Sequence, residues 1–160
     1  MFKIPQIKFN GTIRRPNGYS QFEKSNHSLA FNIHLGLNMS IINDNLESIT
    51  FESIRAIVYY PIDSKRSIIG AGLIFDLHVK SFGTVYFNFP CSINYDPLKD
   101  EGFIILTDIA TKCGLLNELK KEDLYVEYDL ISTMKIAGIS VSSISYQSLY
   151  VPCPISTVSE

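Results

Sequence analysis

The feature that most constrains the fold is a strict alternation of residue types between Ser28 and Ile41. Every odd position from Leu29 to Ile41 is apolar, whereas the even positions carry Ser, Ala, Asn, His or Gly. Because successive side chains of a β-strand point to opposite faces, seven matches in a row predict one long strand. One face of this strand should be buried and the other exposed to water.

Shorter runs with the same period follow along the chain and predict further strands. In the second run, apolar residues change from odd to even positions near Glu52 and Ser53, which predicts a β-bulge. Pro90 lacks a backbone donor, so it predicts an edge position or a bulge in its strand. The predicted strands after the first cover residues 49–60, 73–79, 84–95, 123–131 and about 135–151.

Turn and helix signals separate these strands. The side chains of Asn43, Asp44 and Asn45 can hydrogen-bond their own backbone, which is typical of a turn. Asp100 is placed to cap a helix that ends near Gly114, where a left-handed residue is favoured. The apolar stripe of this helix consists of Ile105, Leu106, Ile109, Ala110 and Cys113.

A chain of 160 residues suits one domain with a sizeable core. Residues 1–27 mix Pro, Gly and charged residues and are predicted to be an irregular lead-in. Residues 28–155 form the domain, and residues 156–160 are a tail. Six or seven antiparallel strands with half-apolar faces and one helix favour two stacked sheets.

Charge and hydropathy limit the classes of binding partner that we expect. The chain carries 14 Lys and Arg against 16 Asp and Glu, so its net charge of -2 gives no support for binding nucleic acid. No apolar stretch approaches the length of a membrane-spanning helix, about 20 residues. The residues from Met1 to Gln6 do not resemble a secretory signal, so we expect either a cytosolic protein or a fragment of a longer one.

No motif predicts catalysis, a metal site or a cofactor. His34 and His78, with Asp76, are better interpreted as a solvated strand face because no third metal ligand has a recognisable spacing. The acidic residues Asp100 and Asp108 suit helix capping and the helix dipole better than acid–base chemistry. We therefore expect a protein that is not an enzyme.

Several short motifs resemble the LEA-2, or water-stress-hypersensitive-response (WHy), domain family. A strand ends in Asn43-Asp44-Asn45, with Asp44 where the family usually has Pro, and continues to Ile69-Gly70. Further similar motifs are Phe89-Pro90, Tyr95-Asp96, Leu106-x-Asp108-Ile109, Cys113-Gly114 and, most like fungal members, Val151-Pro152-Cys153-Pro154. The resemblance implies an immunoglobulin- or fibronectin-like sandwich of about seven strands. It also implies a fungal membrane protein with this domain in the lumen of the vacuole or endoplasmic reticulum, or at the cell surface, and an anchor outside this chain.

The residues alone leave the state of the three cysteines open: three buried thiols, or one disulfide and one free thiol. In the lumenal setting that the resemblance implies, Cys113 and Cys153 become the candidate disulfide, and Cys91 stays free. The same setting would make glycoprotein sites of Asn10, Asn26 and Asn38, each of which begins an Asn-x-Ser/Thr sequon. Three sequons are close to what chance produces, so they do not establish the setting.

Two functions compete at this point. The first is lipid binding, in which acyl chains lie in a groove between the sheets or under the helix, and the partner is a lipid or membrane. The second is a lumenal or extracellular module that presents loops, such as residues 63–67, to a protein partner. The candidate groove residues are Leu73, Phe75, Leu77, Phe87 and Phe89.

Overall fold

The computed structural model describes residues 2–13, 22–24, 29–114, 122–151 and 153. Within these residues the chain forms eight β-strands and one α-helix, α1 (Ile104–Lys112), which two short 3-10 turns at 97–99 and 101–103 precede. The strands are β1 (Gln6–Ile13), β2 (Phe22–Lys24), β3 (Phe31–Ile42), β4 (Ile49–Ile62), β5 (Lys65–Val79), β6 (Thr84–Tyr95), β7 (Leu124–Ile136) and β8 (Ile139–Val151). No helix among the described residues is long and apolar enough to cross a membrane.

All strand pairs are antiparallel and belong to one curled sheet with the order β1-β3-β6-β5-β4-β7-β8, with β2 added to β3. The predicted class, mainly β with a helix, is confirmed. The hydrogen-bond ladder, however, connects the strands that we expected to form two separate sheets. The long alternating run forms β3, in the centre of one part of this sheet, with its odd positions buried.

A narrow junction divides the sheet into two halves. We call β1, β2, β3 and β6 the first half, and β4, β5, β7 and β8 the second half. The two meet where β5 pairs with β6, and only three residue pairs join them, Gly70–Gly72 with Cys91–Ile93. The ladder stops beside Pro90, which has no N–H to donate. Pro90 was predicted to lie at an edge or in a bulge. β6 is an interior strand whose register with β3 continues unbroken through Pro90 and Gly36, so the prediction holds only locally, on the β5 side, where pairing ends at Cys91.

Two glycines allow the close approach at this junction. A Cβ atom on Gly70 would meet the carbonyl oxygen of Ser92, and one on Gly72 would meet the ring of Phe89 and lie 2.7 Å from the carbonyl oxygen of Pro90. These neighbours are backbone or fully buried, so they have little freedom to move.

Gly70→Ala is therefore expected to lower the free energy of unfolding by about 1–3 kcal/mol, the usual cost of overpacking. Denaturant unfolding followed by circular dichroism would measure it. The control is Ala71→Ser, at the exposed position between the two glycines, which should leave the midpoint unchanged. A Gly70→Ala variant as stable as the wild type would show that the junction is looser than its geometry indicates.

A residue with left-handed backbone in β5 corrects the predicted inward face of that strand. Asp76 has a left-handed backbone (φ 57°) and lies across from Glu52, where the β4–β7 register also shifts. The bulge predicted near Glu52 and Ser53 is thus confirmed, but Asp76 turns the preceding part of β5 over. Leu73 and Phe75 are exposed as a result, and Ile74 packs against the core instead.

The last predicted strand is in fact the end of one strand and the whole of another. Ala137 and Gly138 both have positive φ (49° and 84°) and form a two-residue hairpin turn between β7 and β8. Such a turn usually contains Asn-Gly or Asp-Gly, so Ala-Gly gave no recognisable signal.

The segment predicted as an irregular lead-in contains two strands. β1 pairs with β3 from Gln6 opposite Ile42 to Ile13 opposite Gly36, with a register shift between Phe9 and Thr12. The sheet therefore begins well before residue 28.

The core lies between the concave faces of the two halves and under α1. Its largest fully buried side chains are Tyr60, Phe51, Phe89, Ile33, Met39, Ile41, Ile49, Ile54, Leu130, Met134, Val79 and Asn43.

Candidate functional site

An apolar cavity lies between the two halves of the sheet. Its volume is about 30 Å³, close to that of a few water-sized probes. Both halves contribute to its wall, so any ligand there would touch both. The lining residues are Leu35, Leu37 and Met39 of β3, Phe89, Cys91 and Ile93 of β6, Ala56 and Val58 of β4, Val126, Tyr128 and Leu130 of β7, and Leu149 and Val151 of β8.

The two lining residues with polar atoms do not make the cavity polar. Burial raises the pKa of the Cys91 thiol to about 12, so the thiol stays protonated. Burial also raises the pKa of Tyr128, whose hydroxyl donates to Oε1 of Gln147 at 2.9 Å. The wall is therefore uncharged, and it suits an apolar ligand.

The predicted groove residues are not brought together. Of the five, only Phe89 lines the cavity. Phe87 and Leu77 are partly buried and pack against the core. Leu73 and Phe75 lie on the outer surface of the second half, where these residues are 43% and 64% exposed. The wall residues of β3 and β7 were recognisable as strand-face residues, but periodicity does not show which strands face each other.

A second opening separates the two edges of the sheet. This cleft, of about 390 Å³, lies between residues 4–8 at the start of β1 and the inner face of β8. Serine and glutamine side chains at positions 132, 143, 145 and 147 line it together with Phe51 and Met134. The cleft keeps β1 and β8 apart, so the sheet does not close into a barrel through these strands.

The predicted turn at Asn43, Asp44 and Asn45 joins three parts of the chain. Asn43 is fully buried, and its Nδ2 donates to the carbonyl oxygens of Glu47 (2.9 Å) and Lys80 (3.1 Å). Its Oδ1 accepts from the backbone N–H (3.0 Å) and Nδ2 (2.9 Å) of Asn45.

Asn45 extends this network to the N-terminal segment. Its side chain accepts from the N–H of Lys3 at 2.7 Å and donates to the carbonyl of Lys3 at 2.6 Å. Asp44, between the two buried asparagines, is exposed. The motif is therefore a structural junction between the β3–β4 turn, the β5–β6 turn and the start of the chain, rather than a ligand site.

Asp100 caps α1, as predicted, although the helix begins four residues later. Its carboxylate accepts from the N–H groups of Ile105 (3.0 Å) and Leu106 (3.1 Å) and from the hydroxyl of Tyr95 (2.6 Å). Burial opposes ionisation, but these hydrogen bonds outweigh it and hold the pKa of Asp100 below its ordinary value.

Asp100→Asn is expected to cost about 1–3 kcal/mol at neutral pH because hydrogen bonds to a charged acceptor are lost. Since the folded-state pKa is depressed, this contribution is present above the unfolded pKa and disappears as the pH falls through the folded value. The difference in the free energy of unfolding between wild type and variant should therefore become smaller below about pH 4. Urea unfolding from pH 7 to pH 2 would measure it. Glu101→Gln, one exposed residue further on, should keep the wild-type pH profile.

Two further contacts hold α1 against the sheet. The Tyr60 hydroxyl donates to Asp108, which also forms an ion pair with Lys112 at 3.1 Å. At the end of the helix, Cys113 forms a disulfide with Cys153, with 5.5 Å between their Cα atoms. The predicted pairing is thus confirmed, as is the prediction that Cys91 is free and buried.

The candidate glycosylation sites lie on a polar surface. Asn38 is exposed on β3 opposite Asn88, and Asn10 is exposed next to the β1 register shift, where its Nδ2 donates to Oγ of Ser40 at 3.0 Å. Asn26 lies outside the described residues. Two of the three sequon asparagines, Asn10 and Asn38, are therefore exposed on the outer surface of the first half.

The outer surface of the second half has a different character. Arg66 lies over the ring of Tyr59, 4.1 Å from its centroid, and forms ion pairs with Glu127 (2.6 Å) and Asp129 (3.6 Å). The exposed apolar side chains of this half include Ile68, Leu73, Phe75, Ile144, Tyr146 and Tyr150. Among the described residues no group of three or more His, Cys, Asp or Glu side chains is arranged to hold a metal ion.

Fold and cavity together define the chain as a mainly β domain that encloses an apolar space. No family model matches it, and no curated protein matches it. Three solved structures are similar over most of their length. An X-ray structure of a Northeast Structural Genomics Consortium target has a TM-score of 0.52 and 10% identity, and the match covers 98% of this chain and 92% of that one. At this identity the likeness concerns the fold alone.

The other two structures are a protein from Archaeoglobus fulgidus and a late embryogenesis abundant protein solved in solution. The first has a TM-score of 0.49 and 10% identity, covering 95% of this chain and 97% of that one. The second has a TM-score of 0.45 and 12% identity, covering 93% of this chain and 72% of that one.

Proposed function

We propose that this chain is a non-enzymatic LEA-2-like domain of a membrane-tethered fungal protein, and that it binds lipid by taking an acyl chain between the two halves of the sheet. The observation that carries this proposal is the cavity wall, which is apolar and uncharged throughout. An acyl chain needs an enclosed apolar surface of this kind.

The cavity is small in this conformation, so an acyl chain would enter by separating the halves. The two halves are joined by a short ladder of three residue pairs at Gly70–Gly72. Few hydrogen bonds would then have to change for β3 and β6 to move away from β4 and β7. In this proposal the two halves correspond to the two layers of an immunoglobulin- or fibronectin-like sandwich.

The test is binding of a fluorescent fatty acid, together with native mass spectrometry for lipid that co-purifies from cells. Ala56→Ile adds three carbons to the cavity wall and should abolish binding, whereas Ala71→Ile makes the same change on the outer surface and should leave it intact. Thermal melts would verify that both variants fold. Wild-type protein without bound lipid and without affinity for the probe would refute the proposal.

The proposed setting is the lumenal or extracellular side of a membrane. The Cys113–Cys153 disulfide supports it, because disulfides persist in oxidising compartments. The exposed sequon asparagines Asn10 and Asn38 are compatible with glycosylation there. Expression through a secretory pathway and a mobility shift on deglycosylation would test this part of the proposal, with Asn38→Gln as the matched variant.

A second candidate function is a protein-interaction module. The observation that favours it is the exposed apolar set on the outer surface of the second half, which includes Leu73 and Phe75. If a purified partner binds there, Phe75→Ser should weaken binding while Ala56→Ile does not. If the partner instead contacts the β4–β5 turn, replacing residues 63–67 should remove binding.

A further inference from the structure

β8 is an edge strand without the usual protection. Among the described residues it pairs only with β7, and it ends the sheet at one side. Natural edge strands are usually shielded by charges, proline or bulges. The other edge strand, β1, has Lys8 and a register shift after Phe9. The 13 residues of β8, ISVSSISYQSLYV, contain no charged residue and no proline.

The sequence of β8 is also self-complementary about Ser145. If two copies of the strand run antiparallel with Ser145 opposite Ser145, residues of similar chemistry meet at every position except Ser140, which lies opposite Tyr150. On the outer surface Ile144 lies opposite Tyr146, and Ser142 opposite Ser148. On the inner surface Ser143 lies opposite Gln147, and Val141 opposite Leu149.

Burial is compatible with this pairing. Ile144 and Tyr146 are 54% and 72% exposed, so a second strand would cover apolar surface that the isolated chain leaves to water. Among the described residues no strand pairs with the outer edge of β8, and β1 lies across a cleft from it. The edge therefore has unpaired backbone groups that the β8 of a second copy can bind.

We propose that two copies of this chain associate through β8, in an antiparallel pair centred on Ser145, to form one sheet continuous across both copies. A two-fold axis passes through Ser145 in this arrangement, so each contact is made twice. The inference does not depend on lipid binding, because Leu149 and Val151 are the only β8 residues that line the apolar cavity.

The first test uses a charge pair at exposed positions. In the proposed register residue 142 of one copy faces residue 148 of the other, and both are exposed serines. S142K/S148K places lysine opposite lysine twice and should weaken self-association by at least about tenfold relative to S142E/S148K. The lysine at position 148 is common to both variants, so its contact with Glu127, its neighbour on β7, cancels in the comparison.

Sedimentation equilibrium would measure the self-association of the wild type and both variants, at concentrations from sub-micromolar to high-micromolar. The inference is overturned if the wild type is monomeric throughout this range, or if the two variants associate equally. Denaturant unfolding of dilute protein would verify that both variants retain the fold.

The second test fixes the register. Ser145→Cys places two thiols opposite each other across the axis and should give an intermolecular disulfide on mild oxidation. Ser148→Cys faces Ser142 of the other copy and should not. Cross-linking of Ser148→Cys without cross-linking of Ser145→Cys would contradict the proposed pairing.

Discussion

Replacing both Cys113 and Cys153 with alanine is expected to lower the free energy of unfolding by about 4 kcal/mol, from the loop-closure entropy of a bond that spans 40 residues. This is the largest single effect that we expect, because marginally stable domains have only about 5–15 kcal/mol in total. The bond joins the end of α1 to the chain just beyond β8. Its loss should therefore also weaken the packing of α1, whose buried residues are Ile105 and Ile109. Urea unfolding of the double variant would measure the change.

Reductant provides the matched control. It should destabilise the wild type by the same amount and leave the double variant unaffected. Thiol labelling of denatured protein should modify one cysteine without reductant and three with it, since Cys91 is free. A wild-type unfolding transition that does not move on reduction would contradict the expected role of the bond.

Asn43→Ala is expected to cost about 3 kcal/mol, because it leaves buried backbone and side-chain groups without partners. The lost bonds include those to the carbonyls of Glu47 and Lys80 and those from Asn45. Asn43→Asp, of nearly the same shape, should cost at least as much at neutral pH because a carboxylate cannot donate to those carbonyls.

Asp44→Ala is the control for this prediction, since Asp44 lies between the two asparagines and is exposed. Its effect should stay within about 0.5 kcal/mol. Chemical unfolding of the three variants under one condition would measure their free energies of unfolding. An Asn43→Ala variant as stable as Asp44→Ala would show that water replaces the lost hydrogen bonds.

Much of the fold was predictable wherever a signal is local. The alternation from Leu29 to Ile41 specified β3, and the capping carboxylate of Asp100 specified the start of the helical region. The disulfide was not predictable from spacing. It followed from the resemblance to LEA-2 domains, and the geometry of Cys113 and Cys153 confirmed it.

Each feature of the fold that the sequence did not predict has a physical cause. Asp76 adopts a left-handed backbone within β5, and nothing in the local sequence showed this or that Leu73 and Phe75 face outward. Ala137 adopts positive φ without being Asn, Asp or Gly, and the hairpin was therefore missed. β1 depends on β3 for its hydrogen bonds rather than on strong alternation of its own.

The candidate site was predictable only in part, for a related reason. Phe89 was recognised as inward-facing, but the wall opposite it comes from β7 and β8, far along the chain. Which faces meet is decided by long-range strand pairing, and single-sequence periodicity carries no information about it.

The division into two halves has a consequence for the order of folding. Each half is assembled from strands that alternate along the chain: β3 pairs with β6, and β4 pairs with β7. Neither half is therefore completed before strands of the other half are synthesised, and a ribosome must release β7 before β4 gains its second neighbour. Topologies dominated by such distant contacts fold on the millisecond to second scale. During synthesis, then, β4 has one edge paired with β5 while the other edge is open until β7 emerges, and in this interval the open edge can pair with another chain.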